Sequence, residues 1–419
     1  MEYSEQDDKH NESYSIKNGA AATVTNSFIS SFVPLFAISV LGANNQQIGF
    51  ISSLPSLMTM FMMIPAAMWI NKLQEKKVFT AAAISINRLL LFLLVFVPFL
   101  PGYQATVLVV IIGLMNIPGA VANLAWQSFI GDLIPDHRRG SFFGERNRVL
   151  TLVGMIVTFT TGIILNLFAK DSPFPYQVMF ALGFLFGLLE VYFLLKHREQ
   201  KKSSDSNVQV VKVRSMRLMT THKPYLYFLS CAILFNFGWQ MAWPLFSLYQ
   251  INYAYATAFW ISLFTVANQI SQMITYKWWG RSADKRGNSV MLFVAAFGLA
   301  LAPTLTVIST NLIYLTLINL VIGAFVAGTV MLLFNQLLHV SPKEHRTSFL
   351  ANYNLLIAGV GFIAPQVGIF LLETFNIQVA MHVSSIIRIL GAVSFLFVAL
   401  YIEKSFKFPN RKLKKSLSA

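Results

Sequence analysis

Long apolar segments alternate with short polar ones along almost the whole chain. Each apolar segment has roughly 20 residues or more, enough for a helix to cross the ~30 Å hydrocarbon core of a bilayer. Twelve such segments can be counted, six in each half of the sequence. They lie at residues 18–41, 47–70, 78–99, 104–130, 142–168, 175–195, 224–250, 257–280, 288–308, 312–338, 347–372 and 379–401. The pattern predicts an all-α integral membrane protein with twelve transmembrane helices.

A charged turn follows the fourth segment, and a turn of the same design follows the tenth. Pro135 in the first turn matches Pro342 in the second, 207 positions later. At the same offset Arg139 matches Arg346, Ser141 matches Ser348, Phe142 matches Phe349 and Asn147 matches Asn354. An internal repeat of this length predicts a duplicated architecture, and in transporters the binding site commonly lies between the repeats. We therefore expect two pseudo-symmetric six-helix bundles.

The polar segments divide the chain into five regions. Residues 1–17 are polar and acidic, and we expect a disordered cytoplasmic tail there. The N-terminal bundle then covers residues 18–195, a basic linker covers 196–223, and the C-terminal bundle covers 224–402. Residues 403–419 form a basic C-terminal tail.

The composition and the placement of charge agree with a membrane protein. Charged residues make up 12% of the chain, whereas about 25% is typical of soluble domains. In a soluble protein the net charge of +15 would suggest a nucleic-acid partner. Here all Lys and Arg residues lie on the side of the N-terminus, except Lys170 on the opposite side and Arg88 and Arg388 within predicted spans.

This asymmetry predicts the orientation of the chain. Cytoplasmic loops carry the excess of Lys and Arg, so both termini and the linker are expected in the cytoplasm, in a multi-pass protein of the cell membrane. The bilayer is then the partner that the charge pattern implies, with no nucleic acid, and we expect a monomer.

Few residues offer catalytic or metal chemistry. The single cysteine, Cys231, lies in an apolar segment and can form no internal disulfide. The sequence has no Cys and His cluster with metal-ligand spacing and no glycine-rich phosphate loop. We expect no cofactor and no enzymatic activity.

Polar side chains recur on one face of several predicted spans. Lipid offers such groups no partners, so the faces should point to protein or to a water-filled cavity. In the first span the small polar residues could also serve close helix packing. The candidate cavity residues outside the seventh span are Asn26, Ser30, Asn116, Asn123, Trp126, Gln127, Asn268 and Asn319.

The seventh span carries the densest polar face. Asn236, Trp239, Gln240 and Trp243 recur at helical spacing, and Pro244 invites a break in the helix. An interfacial aromatic belt would explain aromatic residues near the membrane surface. It does not explain Trp239 and Gln240 deeper in the span, which favours contact with a solute.

Two arginines lie deep in predicted spans, where an unpaired charge is costly. They are Arg88 in the third span and Arg388 in the twelfth. No acidic residue is expected at mid-span beside either one. We favour a structural role for both, in which the guanidinium binds backbone carbonyls of a neighbouring helix.

The first charged turn is a candidate gate between the two halves. It contains Asp132, Arg139, Gly140, Glu145 and Arg148. Glu145 and Arg148 are i, i+3 neighbours that can pair on a helix. The alternative is a solvated rim that only follows the charge asymmetry.

These motifs resemble those of the major facilitator superfamily. The loop after the eighth span resembles the family's Gly-x-x-Ala-Asp-Arg-x-Gly-Arg signature through Gly280, Ala283, Asp284, Lys285 and Gly287. The turn with Asp132 and Arg139 resembles the family's Asp-x-x-Pro-x-x-x-Arg-Gly turn. The resemblance implies a central cavity lined by spans 1, 4, 7 and 10, and a gate in which Asp284 contacts the start of the fifth span. Arg346 occupies the repeated position in the second half.

The expected function is secondary transport of a small, neutral or weakly charged organic solute by rocking of the two halves. The alternatives are efflux of lipophilic compounds and a non-transporting sensor or scaffold on the same fold. A coupling proton is left open. Glu145 is the best placed acid for it, followed by Asp132, while Glu190 and Glu373 lie near the ends of their spans.

Overall fold

The computed structural model describes residues 5–70, 72–73, 75–134, 136–199, 221–342 and 345–397, without the side chains of residues 5, 6, 132, 136–140 and 347. In the first half the helices are α1 (Glu5–Ser39), α2 (Asn45–Ile70), α3 (Lys77–Phe92), α4 (Gln104–Leu133), α5 (Asp136–Leu165) and α6 (Phe174–Leu195). In the second half they are α7 (Lys223–Met241), α8 (Trp243–Leu248), α9 (Ala258–Arg286), α10 (Asn288–Ala300), α11 (Ala302–Val307), α12 (Leu312–Val340), α13 (Arg346–Thr374) and α14 (Ile377–Phe397). A 3₁₀ segment (Leu93–Phe99) prolongs α3, and a π-helical turn (Tyr249–Tyr253) follows α8.

Ten helical segments among the described residues are long and apolar enough to cross a membrane. The other two predicted spans correspond to α7 with α8, and to α9. These two carry the amides Asn236, Gln240 and Asn268, which lower their apolar character. The predicted all-helical membrane fold is confirmed.

The helices pack in the same order in both halves. In the first half α1 contacts α5 and α6, α4 contacts α2 and α3, and α3 contacts α6. In the second half α7 contacts α13 and α14, α12 contacts α9 and α10, and α10 contacts α14. Between the halves α2 meets α13 and α5 meets α9, which are again equivalent pairs. The packing therefore repeats with the same period as the charged turns.

Among the described residues, the apolar core joins the two halves at one end. We call the end that carries Lys76, Lys196 and Arg286 the basic end, and the opposite one the distal end. One cluster of buried residues includes both halves near the distal end, for example Phe36 with Tyr249. Two further clusters lie toward the basic end, and each one is confined to a single half.

Polar contacts reinforce the distal junction between α2 and α13. The Gln366 side-chain amide donates to the Ser53 hydroxyl at 2.8 Å. Nearer the helix ends, Gln46 Nε2 donates to Glu373 at 3.3 Å. The halves are thus held together at the distal end by a shared apolar core with hydrogen bonds along one seam.

The prediction of a disordered tail is wrong for residues 5–17, which form the first turns of α1. The reason is a set of contacts with the end of α6. Asn11 and the Arg198 backbone exchange two hydrogen bonds of 3.2 and 2.9 Å, and Asp7 forms an ion pair with Arg198. Of the predicted linker only residues 196–199 and 221–223 are described, and the predicted C-terminal tail lies outside the described residues.

Candidate functional site

Two adjoining cavities lie between the helices on the basic side of the shared core. The N-half cavity, of about 850 Å³, is lined mainly by α1 to α6, and the interface cavity, of about 660 Å³, by α2, α4, α7 and α13. Each falls in the ~300–1,000 Å³ range usual for small-molecule sites. The two cavities share Pro55, Ser56, Asn116, Gly119, Asn123 and Trp243.

Ten of the twelve predicted cavity residues line one or both of these cavities. Their side chains belong to α1, α4, α7 and the start of α8. The ten are Asn26, Ser30, Asn116, Asn123, Trp126, Gln127, Asn236, Trp239, Gln240 and Trp243. Their binding of a solute stays a prediction.

Asn268 and Asn319 do not line either cavity. Asn268 Nδ2 donates to the Asn319 carbonyl at 3.1 Å, and Asn319 Nδ2 donates to a carbonyl of its own helix at 2.8 Å. Gly323 lies against the Asn268 backbone, where a side chain would clash. These residues bring α9 and α12 into close contact.

The lining also differs from the predicted set of spans. The tenth span, α12, contributes no residue to these two cavities, whereas α2 and α13 contribute Ser56, Thr59 and Asn354. A periodic signal for α2 was present in the sequence, since Ser52, Ser56 and Thr59 recur at i, i+4 and i+7. Asn354 of α13 has no second amide at helical spacing beside it, so it gave no such signal.

The seventh span breaks at Ala242, between α7 and α8. Trp243 begins α8 with 46% of its surface exposed, and it borders both cavities. Asn236 and Gln240 are buried, and their amides donate to a carbonyl of α7 at 2.8 Å and to one of α13 at 3.4 Å. The aromatic rings therefore give the wall its exposed surface, while these two amides also tie helices together.

Arg388 is fully buried and holds this break in place. Its Nε donates to the Gly238 carbonyl at 3.1 Å, Nη1 to Leu299 at 3.2 Å and Nη2 to Trp239 at 3.1 Å. A Cβ at Gly238 would lie 2.9 Å from the Arg388 side chain, so the approach requires glycine. This geometry agrees with the predicted structural role of Arg388. The guanidinium donates to carbonyls next to the break, where the helix loses its own hydrogen bonds.

The expectation that no acid stands beside Arg88 was wrong. Glu190 of α6 accepts a hydrogen bond from Arg88 Nε at 2.9 Å, and its Oε2 also lies 2.8 Å from Arg88 Nη2 in an ion pair of two buried side chains. Arg88 Nη1 also lies 3.4 Å from the Asn26 amide oxygen. Glu190 lies only five residues before the end of α6. Its side chain still meets that of Arg88, because both side chains are long and extend toward each other along their helices. An ion pair therefore borders the N-half cavity, which was expected to be free of charge.

A third charged side chain, Arg146 of α5, faces the same cavity. Its guanidinium lies over the Trp126 ring, 4.4 Å from the centroid. Gly19 of α1 lies beneath it, and a Cβ there would come within 2.5 Å of Nη2. The N-half cavity is therefore lined by two arginines and one glutamate.

The predicted gate forms no ion pair among the described side chains. Glu145 and Arg148 are both exposed, and neither has an acidic or basic partner in the described part of the chain. The side chains of Asp132, Arg139 and Gly140 lie outside the described residues. The gate between the halves thus stays a prediction.

The second charged loop contains the expected glycine turn. Gly287 has φ +96°, a conformation that other residues rarely adopt, and it ends α9. Gly280 lies against Met331, Asp284 is exposed, and Arg346 donates weakly to the Leu338 carbonyl at 3.5 Å.

One ionisable group beside the N half is buried outside the spans. Burial lowers the pKa of His197, just after α6, to about 4. The ring packs edge-on against Phe129, and its Nδ1 lies 2.9 Å from the Leu194 carbonyl. His197 is therefore neutral at physiological pH.

Comparison with known proteins supports the fold. A family model described as Major Facilitator Superfamily matches residues 18–278 and 228–419. The structure is similar to the nucleoside transporter NupG, with TM-score 0.73, 13% identity and coverage of 93% of this chain and 99% of that one. It is also similar to a D-xylose-proton symporter, with TM-score 0.70, 14% identity and coverage of 92% and 96%. No curated protein matches the sequence.

Proposed function

Because the chain belongs to the major facilitator superfamily, we propose that it is a secondary transporter that moves a small organic solute across the cell membrane by alternating access. The observation that carries the proposal is the unequal junction of the halves. They share an apolar core at the distal end, whereas the cores toward the basic end are separate, with the interface cavity between the bundles and the N-half cavity adjoining it. Such a carrier exposes its site to one side at a time.

The charge asymmetry supports an orientation with the basic end and both termini in the cytoplasm. In this orientation the cavities are accessible from the cytoplasm, and the distal junction seals the outer side. The protein is proposed to act as a single chain, because both sets of lining helices belong to one polypeptide.

The coupling proton, if the carrier uses one, is proposed to bind Glu190 rather than Glu145 or Asp132. Glu190 borders the N-half cavity and pairs with Arg88, whereas Glu145 is exposed at the rim. Protonation of Glu190 would neutralise one member of the pair and release Arg88, which changes the charge of the cavity. A proton that binds there is thus linked to the solute through the same space.

The rocking motion is tested at the distal junction with the variant Ser53→Cys/Gln366→Cys, in a background with Cys231→Ser. These two side chains are in contact across the halves. A short, cleavable bifunctional thiol reagent should abolish solute uptake by proteoliposomes, and reduction should restore it. The two single-cysteine variants, treated in the same way, serve as controls. Full uptake by the cross-linked protein would contradict alternating access.

Efflux of lipophilic compounds is the second candidate, since exposed Trp243 offers an apolar surface to the cavity. Drug sensitivity of a deletion strain, compared with its growth on single carbon sources, separates efflux from solute uptake. A non-transporting sensor would move no compound in proteoliposomes.

A further inference from the structure

The charged groups of the N-half cavity do not balance one another. Arg88 and Arg146 both line it, but Glu190 is the one acid among its lining residues. Glu190 is held by Arg88 through a hydrogen bond and an ion pair. The cavity therefore carries one positive charge, on Arg146, that forms no ion pair with an acidic residue of the described chain.

The surroundings of Arg146 leave its donors available. The guanidinium is stacked on Trp126, and Nε makes one long contact of 3.4 Å with the Ser15 carbonyl. No described residue accepts a hydrogen bond from Nη1 or Nη2. The absence of a Cβ at Gly19 gives the guanidinium room to lie flat between α1 and α4. Stacking thus fixes the position of the group without using most of its donors.

The three buried or partly buried arginines, Arg88, Arg146 and Arg388, differ in the partners of their guanidinium groups. Arg388 donates to three backbone carbonyls and is satisfied, and Arg88 is neutralised by Glu190. Arg146 has neither kind of partner. A partly buried cation of this kind is stabilised by an anion, and a guanidinium binds carboxylate or phosphate oxygens with two parallel hydrogen bonds.

We infer that the transported solute is an organic anion whose carboxylate, phosphate or sulfonate group binds Arg146. This inference rests on the proposed transport function and names the class of its substrate. The uncharged part of the solute lies toward Asn123 and Trp243, where the two cavities meet. It replaces the neutral or weakly charged solute that the sequence favoured.

The test uses the full chain in proteoliposomes of phosphatidylcholine, loaded from a mixture of cellular metabolites and analysed by mass spectrometry. The accumulated compounds are expected to carry an anionic group. Uptake should fall at least about tenfold in Arg146→Gln, because a charge-assisted bidentate contact is lost, and less in Arg146→Lys. The control is Lys170→Gln, an exposed cation in the loop between α5 and α6 that belongs to neither the cavities nor the predicted gate, which should transport as the wild type does.

A direct measurement of ligand binding distinguishes loss of the anion site from poor folding of the variant. Benzoate should quench tryptophan fluorescence of the wild-type protein and raise its melting temperature, while benzamide, the uncharged analogue, should do neither. Arg146→Gln should lose the response to benzoate and keep the fluorescence of the folded protein.

The outcomes separate this inference from the proposed function. If neutral or cationic compounds accumulate, and Arg146→Gln takes them up as well as the wild type does, the inferred anionic substrate is wrong. The proposed transport function would not be affected. Uptake of no compound would overturn both. An effect of Arg146→Gln seen only in vesicles that contain phosphatidylglycerol would assign the anion to a lipid headgroup, and the inference would be wrong.

Discussion

Each half of the molecule buries one arginine at the junction of the same three helices. In the first half Arg88 of α3 meets α1 and α6. In the second half Arg388 lies on α14, the equivalent of α6, and meets α7 and α10, the equivalents of α1 and α3. Arg88 binds a carboxylate and borders a cavity, whereas Arg388 binds backbone carbonyls at a helix break. A duplicated architecture can therefore use one buried arginine to hold a helix break and place the other beside a titratable partner at a cavity.

The largest effect is expected for the substitution Arg388→Met, which tests whether Arg388 stabilises the helix break. It removes three hydrogen bonds from a charged donor, at about 1.5–3 kcal/mol each, so the free energy of unfolding should fall by several kcal/mol. The measurement is thermal unfolding in detergent, with Arg388→Lys expected to lie between the variant and the wild type. A melting temperature equal to that of the wild type would show that Arg388 does not hold the break.

The pair in the first half is expected to behave differently. Glu190→Leu leaves Arg88 buried without an acid and should cost about 3 kcal/mol. The double variant Arg88→Met/Glu190→Leu should recover most of that loss, because the unpaired charge is removed together with its partner. Uptake would remain impaired if the pair serves transport. A double variant that is less stable than Glu190→Leu would argue against a self-contained pair.

Two glycines allow a matched comparison of the arginines. A Cβ at Gly187 would lie 2.6 Å from the Arg88 side chain, and one at Gly238 would lie 2.9 Å from the Arg388 side chain and 3.0 Å from its backbone nitrogen. Each alanine variant should cost about 2 kcal/mol through overpacking. Gly187→Ala should also change the pH dependence of uptake, because it displaces Arg88 from Glu190. Gly238→Ala should lower stability alone.

The smallest expected effect is a pH dependence of stability caused by His197, at the basic end of the first half. The folded-state pKa of His197, about 4, lies below its unfolded value of 6.5, because burial disfavours the charged form. The stability contributed by neutral His197 is thus complete above pH ~6.5 and is lost as the pH falls toward 4. Between about pH 8 and pH 5.5 this loss is about 1 kcal/mol. The loss should be smaller in His197→Gln, measured by thermal unfolding at both pH values.

The sequence predicts the fold well because the bilayer imposes a simple rule on the chain. Spans of ~20 apolar residues and a repeat in the charged turns are local or periodic signals, and they predicted the helices and their duplication. The amides at Asn116, Asn123 and Gln127 recur at helical spacing, which is why they could be placed on one face and at the cavity.

The charges inside the fold could not be predicted in the same way. The distance of Glu190 from the end of α6 gave no indication that its side chain reaches Arg88, because that depends on how α3 and α6 are staggered. The position of Arg146 had the same difficulty, since it lies in a segment whose other basic residues belong to the exposed rim of the basic end. The helical N-terminal tail depends on partners near the end of α6 that are 187 residues away in the chain.

The shared core at the distal end has a kinetic consequence. Under the proposed alternating access, turning the empty carrier outward requires the apolar core shared by residues such as Phe36 and Tyr249 to separate, and nothing in an unloaded cavity offsets that separation. A vacant molecule should therefore rest with its site accessible from inside, and the outward return without cargo should be the slow step of the turnover.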